Sequence, residues 1–83
     1  MINPIIEIED DIGIHCINLT NIEYFWSYFD RKLLDDWYCI SIRFKSSLNG
    51  IQFKYSNEED RDKVYNYLKK KFSEFITSTS IKG

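Results

Sequence analysis

The clearest pattern in the chain is a strict alternation of apolar and polar positions on both sides of an Asn49-Gly50 pair. The apolar positions before this pair are Tyr38, Ile40, Ile42 and Phe44, and those after it are Ile51, Phe53 and Tyr55. A period of two residues predicts half-buried strands, and Asn-Gly favours a hairpin because both residues tolerate positive φ. We therefore predict an antiparallel strand pair with one apolar face.

The period changes after Ser56, where an amphipathic helix is predicted over residues 57 to 76. Ser56 and Glu59 match a capping box, in which each side chain accepts a backbone N–H of the other residue. At 3.6 residues per turn, the apolar positions form one stripe: Val64, Tyr65, Leu68, Phe72, Phe75 and Ile76. This stripe is long enough to cover the apolar face of the strand pair.

Two short strands are predicted before residue 20. Isoleucines mark the first strand, at Ile5, Ile6 and Ile8. In the second strand, Ile12, Ile14 and Cys16 alternate with His15, Ile17 and Leu19. Residues 10 to 13 have the composition of a turn and separate the two strands.

Residues 21 to 34 fit two predictions. As a helix, the segment would begin at a capping box of Thr20 and Glu23, with one side formed by Ile22, Phe25, Trp26, Phe29 and Leu33. As a strand, it would alternate Ile22, Tyr24, Trp26 and Tyr28 with Glu23, Phe25, Ser27 and Phe29. Aromatic side chains and hairpin connections favour the strand, and the sequence leaves both alternatives open.

Together these elements predict one α+β domain, an antiparallel β-meander of about four strands with a C-terminal amphipathic helix packed on one face. A chain of 83 residues can bury one core and not two. The domain is predicted over residues 1 to 76, and residues 77 to 83, which are low in sequence complexity, are predicted to form a flexible C-terminal tail.

Composition and charge narrow the functional classes. The chain has no alanine, 17% aromatic residues and a net charge of −2. This charge divides into −6 over residues 1 to 42 and +4 over residues 43 to 83, which permits an acidic edge and a basic edge. A sequence pI of about 5.3 argues against a protein whose main task is binding duplex phosphates.

The N-terminal residues lack the basic region of a signal peptide, and no apolar run reaches transmembrane length. We therefore expect a cytoplasmic protein without a membrane partner. In that compartment thiols are reduced, so Cys16 and Cys39 are predicted to be small buried apolar side chains.

No constellation of residues marks a catalytic, cofactor or metal site. Six acids could supply oxygen ligands to a metal ion, but their spacing matches no EF-hand loop: Glu7, Glu9, Asp10, Asp11, Asp35 and Asp36. A structural zinc site needs four ligands, more than the three that could come from His15, Cys16 and Cys39. The chain also has no nucleophile elbow and no glycine-rich phosphate loop. We predict no enzymatic activity, no cofactor and no metal.

The remaining class is binding, through aromatic and basic side chains that one small core cannot bury. The residues predicted to contact a protein partner are Tyr24, Trp26, Tyr28, Trp37, Arg43, Lys45 and Lys54. The sheet face opposite the helix is predicted to present Trp37, Cys39, Ser41, Arg43, Lys45, Gln52 and Lys54. An edge strand near residues 5 to 8 also favours a homodimer.

In size and in its richness in Ile, Lys and Asn, the chain is similar to accessory proteins of phages and mobile elements, many of which inhibit a host protein by binding it. No motif carries this similarity, so it implies an inhibitor role without identifying the partner. The alternative function is binding of single-stranded nucleic acid on the outer sheet face, where aromatic rings would stack bases. The same face could also be an ordinary solvated surface with one exposed tryptophan.

Overall fold

The computed structural model describes residues 3–31, 36–46 and 49–80. These residues form five strands, one 3-10 turn and one helix. In chain order the elements are β1 (Ile5–Glu9), β2 (Ile14–Asn18), the 3-10 turn Leu19–Asn21, β3 (Ile22–Arg31), β4 (Asp36–Phe44), β5 (Ile51–Tyr55) and α1 (Glu58–Ser80).

The strands form two antiparallel sheets. β1 and β2 are a hairpin in which Ile6 faces Ile17 and Ile8 faces His15. β3, β4 and β5 are a meander with β4 in the centre. The α+β class, the meander and the packed C-terminal helix are thus confirmed, with five strands in the described residues instead of about four.

The segment with two alternative predictions is a strand, β3, over Ile22–Arg31. Thr20, which the helical alternative made the helix cap, lies in the 3-10 turn. There the Asn18 side chain accepts hydrogen bonds from the Thr20 N–H at 3.0 Å and from the Thr20 hydroxyl at 2.6 Å. The ladder with β4 shifts register between Ile22 and Tyr24, so Glu23 lies at a β-bulge. Leu33, which the helical alternative placed on the apolar side of this segment, lies outside the described residues.

The β4–β5 hairpin forms as predicted, but the physical reason for a glycine at position 50 differs from the prediction. Neither Asn49 nor Gly50 has a positive φ. Gly50 is needed for space, since a methyl group there would collide with the carbonyl oxygen of Ile42 on the neighbouring strand. The requirement at this position is therefore close backbone approach and not left-handed geometry.

The helix α1 and its cap each begin one residue later than predicted. Asn57, not Ser56, is the cap: its side-chain oxygen accepts the Asp60 N–H at 2.8 Å, and its amide donates to the Asp60 carboxylate at 3.0 Å. Ser56 instead extends the β5 edge, donating its N–H to Asp11 at 3.0 Å. The helix continues beyond the predicted end at residue 76 to Ser80, and residues 81 to 83 of the predicted tail lie outside the described residues.

The core lies between α1, one face of the β3–β4–β5 sheet and the β1–β2 hairpin. Its buried residues are Ile6, Ile8, Ile17, Leu19, Ile22, Ile40, Ile42, Phe53, Tyr55 and Leu68. From the predicted helix stripe, Val64, Tyr65, Phe72 and Phe75 also pack against this core. Ile76 is the exception at 46% exposed, because a helix of 23 residues outruns the five-residue β5.

The hairpin β1–β2 is fastened to the edge of β5 by the turn that joins its strands. The carboxylate of Asp10 accepts the Lys54 N–H at 3.0 Å through one oxygen. Its other oxygen accepts the N–H groups of Ile12 and Gly13 at 3.0 Å each, and lies 3.2 Å from Nε2 of His15. The next residue, Asp11, donates its N–H to the Lys54 carbonyl at 3.1 Å.

Candidate functional site

The candidate site is the sheet face that points away from α1, which we call the outer face. Its residues follow from the strand register, in which Tyr24 faces Arg43, Trp26 faces Ser41 and Tyr28 faces Cys39. The complete outer face is Tyr24, Trp26, Tyr28 and Asp30 on β3, Trp37, Cys39, Ser41 and Arg43 on β4, and Gln52 and Lys54 on β5.

Two aromatic rings on β3 dominate this face. Tyr24 is 50% exposed and Trp26 is 41% exposed, although neither lies in a loop. Their rings stack with centroids 5.4 Å apart and an interplanar angle of 26°. Arg43 is the cross-strand neighbour of Tyr24, so a cation lies beside the stacked pair.

Six of the seven residues predicted to bind a partner share the outer face. They are Tyr24, Trp26, Tyr28, Trp37, Arg43 and Lys54. The seventh, Lys45, follows β4 in the turn, where its N–H donates to the Asn21 carbonyl at 2.8 Å and its side chain is exposed. The structure therefore places it at the end of the face and not within it.

Cys39 and Ser41 lie on the outer face, but they do not present their side chains to solvent as predicted. Cys39 is 0% exposed and Ser41 is 7% exposed. Both are short side chains on the central strand, and each lies between longer side chains on β3 and β5. The contact surface is therefore formed by the residues that flank them.

Tyr28 closes over Cys39. Burial, together with the adjacent Cys39 thiol, raises the pKa of Tyr28 to about 12. Burial also raises the pKa of the Cys39 thiol. Both shifts favour the neutral forms, and Cys39, at 0% exposed, is a packed side chain on the central strand.

Cys16 differs from its prediction, because it is exposed. On β2 the buried side is that of Ile17, which faces Ile6 across the hairpin. Cys16 and Ile14 point to the opposite side, where Ile14 is 66% exposed. Alternation distinguishes the two sides of β2 but gives no indication of which one faces the core.

Arg61 is a buried residue that the sequence gives no reason to select. It is 8% exposed, and its guanidinium donates to the Tyr28 carbonyl at 3.1 Å and to the Asp62 carboxylate at 2.7 Å. The guanidinium carbon also lies 5.7 Å from the centre of the Tyr38 ring. Arg61 thus links the first turn of α1 to β3 beneath the outer face.

Three of the six acids considered as metal ligands line a groove of about 340 Å³ between the β1–β2 turn and α1. It is lined by Glu9, Asp10, Asp11, Tyr55, Asp60, Lys63 and Val64. The Asp10 carboxylate is already occupied by hydrogen bonds from three backbone N–H groups. Among the described residues, no group of three or more His, Cys, Asp or Glu side chains is placed to hold a metal ion, and Asp35 lies outside them.

Over the described residues, no helix has both the length and the apolar character needed to cross a bilayer. Comparison with known proteins gave no match to a protein-family model, to a curated protein or to a solved structure.

Proposed function

We propose that the chain is a non-catalytic protein-binding module that contacts its partner through the outer face. The observation that supports this most directly is the exposure of Tyr24 and Trp26 on a sheet face that α1 leaves uncovered. Large aromatic side chains with one polar end are the residue types enriched at the centres of protein interfaces. Leaving them in water forgoes the burial energy that a partner surface would supply.

The charges around the aromatic pair indicate the chemistry of the partner. Arg43 and Lys54 lie on the outer face, and Lys45 lies at its end. Complementary potential favours a partner surface that combines apolar side chains with Asp and Glu. The inhibitor role of a phage or mobile-element accessory protein, acting in the cytoplasm on a host protein, is the role that size and composition favour, and the free cysteines fit that compartment.

The test is a capture experiment with matched variants. The intact chain is immobilised and exposed to lysate of the organism that encodes it, in parallel with Trp26→Ser and Arg43→Glu. A protein retained by the wild type should be lost from both variants. Once that protein is purified, Trp26→Ser should raise its Kd by about 30-fold or more, the effect of losing a central aromatic contact.

Tyr67→Ser is the matched control, because Tyr67 lies on α1 and is 41% exposed, the same fraction as Trp26. It should retain the captured protein at the wild-type level. Retention that is equal for wild type, Trp26→Ser and Arg43→Glu would exclude the outer face as the contact surface. Loss of the captured protein from all variants, including Tyr67→Ser, would equally contradict the outer face as the contact surface.

The stacked pair also supports a second candidate, binding of single-stranded nucleic acid. The rings of Tyr24 and Trp26 offer a surface for a base, and Arg43 beside them could contact phosphate. Titration with an unstructured oligothymidine would then quench tryptophan fluorescence at low salt and much less at higher salt, since phosphate contacts release counterions. No quenching at low salt, or quenching unchanged in Arg43→Ala/Lys54→Ala, would exclude this candidate.

A further inference from the structure

Among the strands of the described residues, β3 has an open edge. It is the longest strand, with ten residues, and β4 is the strand that pairs with it in the described part of the chain. The other edge of the same sheet is β5, where Asp10 and Asp11 hold the N–H and C=O of Lys54. An unpaired strand of this length presents a row of donors and acceptors that another strand can use.

The hydrogen bonds of Lys54 fix which backbone groups face the open edge. Because Lys54 directs its N–H and C=O away from β4, its partner Cys39 directs its own groups toward β3. Cys39 faces Tyr28, so Tyr28 is turned inward to β4. Successive residues alternate, and the residues turned outward to the open edge are therefore Phe25, Ser27 and Phe29.

This arrangement restricts the antiparallel registers in which the strand can pair with itself. Outward-facing residues must pair with each other, and among the long registers that meet this condition we consider the one centred on Ser27, which spans residues 23 to 31 and brings opposite charges together. In that register Phe25 lies opposite Phe29 of the second copy. Glu23, at the β-bulge near the start of β3, comes level with Arg31 of the second copy. By two-fold symmetry both pairings occur twice.

The side chains are complementary in this register. Glu23 and Arg31 carry opposite charges, and within the described residues neither has an ion-pair partner in the monomer. Phe29 is 44% exposed in the monomer, and the pairing would place it against Phe25 of the second copy. Arg31 already lies over the Phe29 ring, with the guanidinium carbon 5.8 Å from its centre, which holds both side chains at this edge.

We propose that two copies of the chain join at the open edge of β3 in this register, forming one continuous antiparallel sheet of six strands. The outer faces of the two copies then lie side by side, with Trp26 of one copy opposite Tyr28 of the other. The interface uses the backbone edge of β3, so it goes beyond the proposed function and does not depend on it.

The test is sedimentation velocity on the intact chain over micromolar to near-millimolar concentrations. The wild type should form a dimer. Glu23→Lys and Arg31→Glu should each raise the dimer dissociation constant by roughly tenfold or more, since two symmetry-related pairs become repulsive. Combined in one chain, the two substitutions restore opposite charges and should return the constant to near its wild-type value.

Two further variants separate pairing at the β3 edge from pairing at another strand. Glu7→Lys makes the same charge change on β1 and should leave the dimer intact, whereas loss of the dimer would point to pairing through β1. Ser27→Pro removes an N–H that faces the open edge and spares the β4 ladder, so it should give a monomer with wild-type circular dichroism. If that variant is unfolded, the charge-reversal series alone decides.

A wild type that remains monomeric at near-millimolar concentration would overturn the proposal. So would a dimer that Glu23→Lys does not weaken, or one that the double reversal does not restore. The result of the dimer test is distinguishable from the result of the capture experiment. Arg43→Glu alters the outer face on β4 without changing any residue of β3, so it tests partner capture separately from the β3 edge.

Discussion

Replacing Asp10 by asparagine should destabilise the protein far more than the same change at the neighbouring Asp11. The Asp10 side chain is 1% exposed and accepts hydrogen bonds on both carboxylate oxygens. Asparagine keeps one oxygen but turns an NH₂ group toward the Lys54 N–H, leaving two donors face to face. The weakened charge-assisted bonds and the unsatisfied buried donor together should cost about 2 to 4 kcal/mol.

Acidification should reduce this difference. Burial alone would raise the pKa of Asp10, but three backbone N–H groups and the His15 imidazole outweigh it and hold the pKa below its ordinary value of 3.8. A carboxyl group with a lowered native pKa contributes its full stabilisation above the unfolded pKa, and that contribution is lost as the pH falls through the native pKa. The gap between wild type and Asp10→Asn should therefore be constant at neutral pH and shrink below about pH 4.

Urea unfolding followed by circular dichroism, at neutral pH and at several acidic pH values, measures both effects. Asp11→Asn is the matched control, because Asp11 is exposed and its carboxylate accepts the Ser56 N–H at 3.0 Å. It should lose less than about 1.5 kcal/mol. Equal losses at the two positions, or an Asp10→Asn gap that persists unchanged in acid, would refute the role of the Asp10 carboxylate in holding the turn.

Three other predictions test the core, the hairpin and the cysteines. Leu68→Ala should lower the free energy of unfolding by about 2 to 5 kcal/mol in urea titration, because Leu68 is fully buried in the core. Gly50→Ala should cost about 1 to 3 kcal/mol in the same assay, since the methyl group meets the Ile42 carbonyl. In thiol labelling of the native protein, Cys16 should react rapidly and Cys39 only after denaturation.

Each of these predictions has a contrary outcome. A Leu68→Ala change within experimental error would mean that the helix stripe is placed wrongly. Gly13→Ala is the control for the hairpin glycine, because nothing lies within 4 Å of the added methyl group, and an equal loss at both glycines would exclude a steric cause. Rapid native labelling of both thiols would contradict the burial of Cys39.

The strands and the helix are predictable because their periodicity reflects burial on one side. The alternation around Ile40 and Phe53 identifies a face whose central residues are fully buried, and Leu68 lies at the centre of the helix stripe. The exposed outer face follows from the same alternation, which is why six of the predicted contact residues share it. Periodicity distinguishes the two sides of a strand, and the pattern is clearest where one side is apolar and the other side is polar.

The remaining features depend on tertiary contacts that periodicity does not encode. Cys39 is buried because of the side chains on both neighbouring strands, and Cys16 is exposed because the hairpin turns its other side to the core. The cap lies at Asn57 because Asp11, far away in sequence, holds Ser56. Arg61 escapes prediction because a charged residue in a polar helix stretch looks solvated until β3 supplies a carbonyl.

The bonds between the β1–β2 turn and β5 also bear on the order in which the protein folds. They join residues separated by 43 to 46 positions in the chain. The meander and α1, in contrast, pack elements that follow one another directly. Because closing a long loop is costly and a two-stranded hairpin is only marginally stable alone, we expect the hairpin to dock last.

Late docking of the hairpin affects the unfolding rate and leaves apolar residues exposed during synthesis. Weakening the Asp10 contacts should accelerate unfolding while leaving the refolding rate nearly unchanged. On the ribosome, Ile6, Ile8 and Ile17 would emerge long before β5 and remain without their native neighbours until it follows. An apolar stretch that the nascent chain exposes early is thus one that the finished protein fastens through the hydrogen bonds of Asp10, Asp11 and Tyr55.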